Sequence, residues 1–176
     1  HVISSHQQFQ DCMQQGVELI QQSPSRLVTF GIRPSYAAES FGYVQRGDAL
    51  SESKIAGAYR VKAFREKPDR QTAELYLQAG TYDWNSGIFM WRAATILEAL
   101  RKFEPEMMKH IDAISAHIGS PAFANTLLRE FEKIAGRSID YAVMERYHDV
   151  AVIEAPFRWD DVGSWQSIGR LTEPDE

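Results

Sequence analysis

Hydrophobic positions recur at helical spacing near the start of the chain. In SSHQQFQDCMQQGVELIQQ, Phe9, Met13, Val17 and Ile20 fall on one face with glutamines between them, and Ser4 or Ser5 stands where an N-cap belongs. That pattern predicts an amphipathic helix. The period then changes. After Ser23-Pro24-Ser25, LVTFGI (27–32) is an unbroken apolar and β-branched run closed off by Pro34, as in a strand buried on both faces. FGYVQRG (41–47) predicts a second short strand. AYRVKAFREKPD predicts a third, with Tyr59, Val61, Ala63 and Arg65 alternating with Arg60, Lys62 and Phe64 until Pro68 stops it. RQTAELYLQAG returns to helix, with Ala73, Leu75, Tyr76 and Leu77 inward and Gly80 at its end.

WNSGIFMW (84–91) predicts a further strand. AATILEALRKF, ended by Glu104 and Pro105, is a helix, and PEMMKHIDAISAHIG and PAFANTLLREFEKIA are two more, each with Pro near its first turn. These form a helical insertion at about 93–135 within a single domain spanning 1–176. SIDYAVMER predicts a short helix, VAVIEA (150–155) a strand, and SWQSIGRL a closing helix capped by Ser164. Strands separated by helices give an α/β class with a central sheet flanked by helices. The sheet is mixed, because FGYVQRG and AYRVKAF lie too close for a helical crossover. An unpaired edge of that sheet would invite another chain, so a homodimer stands among the partners considered.

Composition narrows the classes. The chain has 176 residues, 44% hydrophobic and 24% charged, which fits one globular core and argues against disorder. Net charge is only -5 with Lys and Arg dispersed, so no nucleic-acid partner and no basic membrane anchor are expected. No apolar run approaches the roughly 18–20 residues of a membrane span, and HVISSHQQFQ has no charged-then-apolar signal pattern. One cysteine, Cys12, permits neither an internal disulfide nor a CxxC site; it is expected to pack in a helix, and the cytoplasm is the expected compartment. Of the 11 glycines no two are separated by a single residue, so there is neither a GxGxxG nor a Walker loop.

Three clusters carry candidate chemistry, each with two readings. FREKPD (64–69) places Glu66 and Lys67 side by side at a strand end fixed by Pro68. Surface turns commonly look like this, but a sugar phosphate also needs a carboxylate for its hydroxyls and a cation for its phosphate. Asn85-Ser86-Gly87 is turn chemistry, or an amide at a strand mouth able to donate to and accept from hydroxyls. FRWDDVGSW (157–165) sets Asp160 and Asp161 between two tryptophans ahead of a glycine, either as a plain turn or with one aspartate as a metal ligand. Trp84 and Trp159 each precede a polar cluster and could wall a cleft. His110 and His117 lie two turns apart on one helix, about 10.5 Å in rise and too far for one metal, and are expected to be solvated.

Taken in order, LVTFGIRP, FGYVQRG, FREKPD, YDWNSGIFMW, SIDYAVME and FRWDDVGSW resemble the sugar nucleotidyltransferases, specifically the mannose-1-phosphate guanylyltransferase family, over about 140 residues. The resemblance implies a Rossmann-like domain whose substrates are GTP and mannose 1-phosphate and whose cofactor is Mg²⁺. Carried over by position, Gly42 places a backbone group near the sugar, Glu66 and Asn85 bind its hydroxyls, Lys67 binds its phosphate, and Asp161 is the catalytic metal ligand. Ser40 and Phe41 replace the family's more usual Gly-Tyr ahead of Gly42. The resemblance also implies that His1 is the last residue of the motif that supplies the other metal aspartate. The chain is therefore expected to be an incomplete domain lacking its amino-terminal nucleotide-binding half, and inactive alone. The alternative is a non-catalytic sugar-phosphate-binding or regulatory module of the same fold.

Overall fold

The computed structural model of the chain describes residues 1–163 and 165–171; Ser164, the expected helix cap, lies outside the described residues. The chain divides into two compact units, one made of His1–Arg92 with Asp149 onward and the other of Ala93–His148.

In the first unit, β1 (Val2–Ile3) leads into helix α1 (His6–Gln22), whose N-cap Ser5 accepts a hydrogen bond from the Gln8 amide at 3.3 Å. Strands β2 (Leu27–Ile32), β3 (Tyr43–Ala49) and β4 (Ala58–Arg65) follow. Helix α2 (Arg70–Ala79) starts at Asp69, which accepts from the Thr72 amide at 2.8 Å, and ends at left-handed Gly80. Strand β5 (Tyr82–Met90) precedes the second unit; β6 (Val150–Glu154), β7 (Trp159–Asp160) and α6 (Trp165–Leu171) follow it.

The sheet is mixed, as expected: β2 runs parallel to β6 and antiparallel to β5. It is not open. The order β2-β5-β3-β4-β6 closes into a five-stranded barrel because Ala58, Tyr59 and Arg60 of β4 pair with Ile153, Val152 and Ala151 of β6. The pairing of β3 with β4 shifts register on both sides of Arg46, and such irregularities bend a strand and increase its twist, which is what closure requires. Each of these five strands therefore has a neighbour on both sides.

Leu27, Val28 and Phe30 of β2 and Val152 and Ile153 of β6 are fully buried, each contributing about 1.5–3 kcal/mol of apolar burial. Buried Cys12 packs in α1, as expected. The helix faces differ in phase from the expected ones: α1 buries Cys12, Gly16, Leu19 and Ile20 while Val17 is exposed. In α2, Ala73 is buried but Leu75 and Leu77 are exposed, since three successive apolar residues cannot share one face of a 3.6-residue helix.

The second unit holds α3 (Ala93–Phe103), α4 (Pro105–Ser115), α5 (Phe123–Phe131) and a π-helical segment, Asp140–Met144. The helical region expected at about 93–135 thus belongs to a unit that continues to His148. His110 is not simply solvated. Its Nδ1 lies 3.0 Å from Glu130, joining α4 to α5, and Arg129, His110 and Lys133 together hold the Glu130 carboxyl down to about 2.

One polar network crosses the barrel. Arg46 of β3 lies 3.2 Å from Asp83 of β5 and 2.7 Å from Glu154 of β6, and Arg33 reaches the same Glu154 oxygen at 2.8 Å. Asp83 is completely buried. There is room for it because position 31 is glycine: a Cβ there would lie 2.8 Å from Asp83 Oδ2 and 2.9 Å from Val152 Cγ2.

Gly31→Ala should therefore lower stability by about 1–3 kcal/mol, read as a lower urea midpoint with an unchanged slope. A second prediction concerns pH. Burial pushes the Asp83 carboxyl up to about 6; Arg46 opposes that rise, Glu154 adds to it and Arg33 opposes it. An acid whose folded value lies above its unfolded value of about 4 binds its proton more tightly when folded. Its contribution is complete below about pH 4 and is lost as pH rises through about 6. Asp83→Asn should flatten this decline by on the order of 2–3 kcal/mol between about pH 4 and pH 7. Parallel stability profiles for the two proteins in urea titrations would refute the assignment.

Candidate functional site

Three of the expected substrate-binding residues meet at one end of the barrel. Gly42 immediately precedes β3, Glu66 follows β4, and Asn85 lies within β5. The Gly42 carbonyl accepts from the Asn85 amide at 2.8 Å. A side chain at position 42 would run directly into the Glu66 carboxylate and meet Asn85 Cβ at 3.5 Å, so glycine is what allows this approach. Lys67 stands beside them, its Nζ 3.8 Å from Glu66 Oε1 and its side chain two-thirds exposed. The result is a carboxylate, an amide and a solvent-facing ammonium around a bare stretch of backbone.

Asn85-Ser86-Gly87 forms no turn between elements. It lies inside β5, where the pairing with β2 jumps from Thr29↔Phe89 to Gly31↔Asn85, and Gly87 takes a positive φ of 68°. Turn residues here build a bulge, which re-aims the side chains around it. Asn85 Oδ1 accepts from the Gly87 amide at 3.2 Å and lies 3.4 Å from the hydroxyl of buried Thr29, which donates to the Ile88 carbonyl at 3.2 Å.

The paired aspartates occupy β7 and the turn after it. Asp160 Oδ1 accepts from the Val162 amide at 2.9 Å, and Asp161 Oδ1 from the Gly163 amide at 3.0 Å. Asp160 is buried; Asp161 is half-buried. Between these two side chain–backbone turns, Val162 is held at φ 55°. Lys67, at φ 44°, is the other non-glycine residue with positive φ among the described residues. Such backbone costs on the order of 1–3 kcal/mol and collects at functional positions; one instance is the expected site residue Lys67 and the other directly follows Asp161.

β1 ties the two clusters together. Val2 pairs with Asp160 and Ile3 with Trp159, and the His1 ring stands edge-on to Trp159 at 5.4 Å and 4.0 Å from the position of a Cβ on Gly87. The aspartate turn and the Asn85 bulge are thus both neighbours of His1.

Among the described residues no group of three or more His, Cys, Asp or Glu side chains is placed to hold a metal. Mg²⁺ does not need one, since it commonly takes one or two carboxylates and completes its octahedron with water and substrate phosphate. A carboxylate has about four lone-pair sites, so the backbone bond that Asp161 accepts from Gly163 leaves capacity for a cation. The donor chemistry fits Mg²⁺.

Sequence reasoning expected Trp84 and Trp159 to wall a cleft, and both line one of about 780 Å³ together with Tyr36, Phe41, Glu154 and Asp160. Phe41 is the centre of that wall, with ring centroids 5.1 Å from Trp84 and 5.3 Å from Trp159. Phe41, Thr29 and the Arg46–Asp83–Glu154 network were missed. Their partners lie far away in sequence, and no local spacing marks them.

The sequence is similar to mannose-1-phosphate guanylyltransferase 2 of Escherichia coli O157:H7, 39% identical over 96% of this chain and 35% of that protein. It is also similar to a mannose-1-phosphate guanylyltransferase of Klebsiella pneumoniae, 38% identical over 100% of this chain and 37% of that protein. The chain therefore spans little more than a third of the length of these curated relatives. Its fold is similar to that in the crystal structure of a mannose-1-phosphate geranyltransferase from Thermus thermophilus. The TM-score is 0.82 at 27% identity, over 99% of this chain and 48% of that one. All 176 residues, 1–176, match the nucleotidyl transferase family, and the chain belongs to it.

Proposed function

We propose that this chain supplies the sugar-phosphate side of a mannose-1-phosphate guanylyltransferase, which joins mannose 1-phosphate to GTP to give GDP-mannose and pyrophosphate. The observation that carries the reading is the convergence of Gly42, Glu66 and Asn85 at one place, with the Lys67 ammonium beside them. In this reading Glu66 accepts hydrogen bonds from mannose hydroxyls, and Asn85 both donates and accepts. Gly42 brings the backbone close because it has no side chain, and Lys67 neutralises the sugar phosphate.

The sugar-phosphate oxygen attacks the α-phosphorus of GTP in line, forming the new P–O bond as the α–β bridging bond breaks and pyrophosphate leaves. Asp161 is the residue that would hold Mg²⁺, which when bound neutralises charge on the reacting phosphates. What the chain itself contributes is mostly placement: the sugar held by the barrel end, its phosphate held by Lys67, and Asp161 fixed by the turn after β7. The glycine-rich nucleotide loop and the other metal carboxylate belong, in this reading, to sequence outside these 176 residues. The absence of any glycine pair separated by one residue and the greater length of the relatives support this.

Pyrophosphate release from GTP and mannose 1-phosphate tests the reading. The 176-residue chain alone should give no turnover and should bind mannose 1-phosphate in calorimetry; turnover by this chain alone would sink the incomplete-domain claim. In the longer protein, Asp161→Asn should lower kcat by about 10²-fold while sugar-phosphate binding persists. Binding without turnover in both the unsubstituted protein and Asp161→Asn would instead favour a non-catalytic module. Gly42→Ala should raise KM for mannose 1-phosphate about tenfold or more, by driving the Glu66 carboxylate from its place.

A further inference from the structure

Resting on the sugar-phosphate reading above, we propose that Tyr43 is a positioning residue whose hydroxyl locks the loop ahead of Gly42 and thereby sets where Gly42 stands against Glu66 and Asn85. Residues 33–42 connect β2 to β3 without regular structure of their own. Tyr43, the first residue of β3, is completely buried. Its hydroxyl accepts from the Ala38 amide at 2.9 Å and donates to the Ala38 carbonyl at 3.0 Å. Both backbone groups of one loop residue therefore end on a single phenol. Ala38 is itself buried, so water cannot replace that partner while the loop stays in place.

The ring that carries this hydroxyl is fixed in turn. Tyr43 packs at 5.3 Å against Tyr76, which stacks on Tyr82 at 4.0 Å, joining the start of β3 to α2 and β5. Three residues after Ala38, the loop is held by Phe41, whose ring packs against both Trp84 and Trp159. Gly42 lies between the Phe41 anchor and Tyr43, against Glu66 and with its carbonyl on the Asn85 amide. A loop displaced at Ala38 moves Gly42 relative to both of the side chains that would grip the sugar.

Phenylalanine at position 43 keeps the ring and removes both hydrogen bonds. Two buried backbone groups are then unpaired, and the loop can hydrate them only by moving outward. Asp160 and Asp161, in β7 and the turn after it, lie outside this loop, so the effect should fall on the sugar phosphate and spare the nucleotide.

The test uses the longer protein with GTP, mannose 1-phosphate and Mg²⁺. In Tyr43→Phe, KM for mannose 1-phosphate should rise about tenfold while kcat and KM for GTP stay within about twofold. Amide exchange at residues 38–42 should quicken by about tenfold or more in the same variant. Tyr76→Phe, which keeps the ring contact and leaves the Ala38 bonds intact, should match the unsubstituted protein in every readout. An unchanged KM for mannose 1-phosphate in Tyr43→Phe overturns the proposal, and so does an equal rise in both KM values, the sign of general loosening. If the unsubstituted protein neither binds nor turns over mannose 1-phosphate, the sugar-phosphate reading fails and takes this inference with it. A working protein indifferent to Tyr43→Phe removes this inference alone.

Discussion

Arg46 is held between two carboxylates that belong to different strands, Asp83 at 3.2 Å and Glu154 at 2.7 Å, and the geometry of the candidate site depends on that arrangement. Desolvating an ion pair is costly, and its mutual attraction offsets the cost only when the geometry is good and the remaining valences are met. Here Glu154 is shared with Arg33, and the Arg46 guanidinium sits 5.3 Å over the Tyr59 ring. Arg46 Nε and both Asp83 carboxylate oxygens, however, make no hydrogen bond among the described residues, so Asp83 is held by charge attraction alone and burial raises its pKa. The network links β3, β4, β5, β6 and Arg33, the residue after β2, through side chains as well as through the ladder. Asn85 lies two residues beyond Asp83, and Gly42 four residues before Arg46, so the strands that bear the site are registered by the charges beneath it.

The site itself is made from departures from regular structure. A bulge carries Asn85, a left-handed residue carries the Lys67 ammonium, and a second left-handed residue, Val162, follows the aspartates. Each departure costs stability locally and is held in place by ordered neighbours: the β2 ladder beside the bulge, Pro68 after Lys67, and the two backbone bonds to Asp160 and Asp161 around Val162. A regular strand would point alternate side chains to opposite faces. Bulges and left-handed residues allow neighbouring positions to serve one locus, which is what a small polar ligand requires.

This division explains what could be read in the sequence. LVTFGI and VAVIEA are legible as buried strands because burial on both faces leaves an unbroken apolar run, and α2 is legible at both ends through Asp69 and Gly80. Gly42, Glu66, Lys67 and Asn85 were found by resemblance, since each cluster alone also reads as a surface turn. Barrel closure was not legible: β4 meets β6 across about 90 residues of sequence, and no local pattern encodes that pairing. The inward face of α2 was misjudged because Leu75, Tyr76 and Leu77 are all apolar, and composition cannot choose among adjacent residues. The roles of Asp83, Arg46 and Tyr43 rest on distant partners, and in sequence each looks like an ordinary strand residue.

The same reasoning bears on the long excursion of the chain through residues 93–148. Closing a long loop costs only slightly more entropy than closing a short one, since the cost grows with the logarithm of length. The harder requirement is a defined point of return. Asp149 supplies it: its carboxylate takes Arg26 Nε and the Ser23 hydroxyl, both at 3.0 Å, and its carbonyl accepts from the Leu27 amide. Arg26 is buried, and its charge is balanced there by Asp149 at 3.0 Å and Glu52 at 3.7 Å, so the chain re-enters at one register. That register aligns Leu27 with Val150 and, four residues later, Gly31 with Glu154. The return clamp at one end of β6 thus delivers to the other end the carboxylate that Arg46 and Arg33 share. Through that shared carboxylate, a contact among Ser23, Arg26 and Asp149 helps to hold β3, which Gly42 precedes, and β5, which carries Asn85.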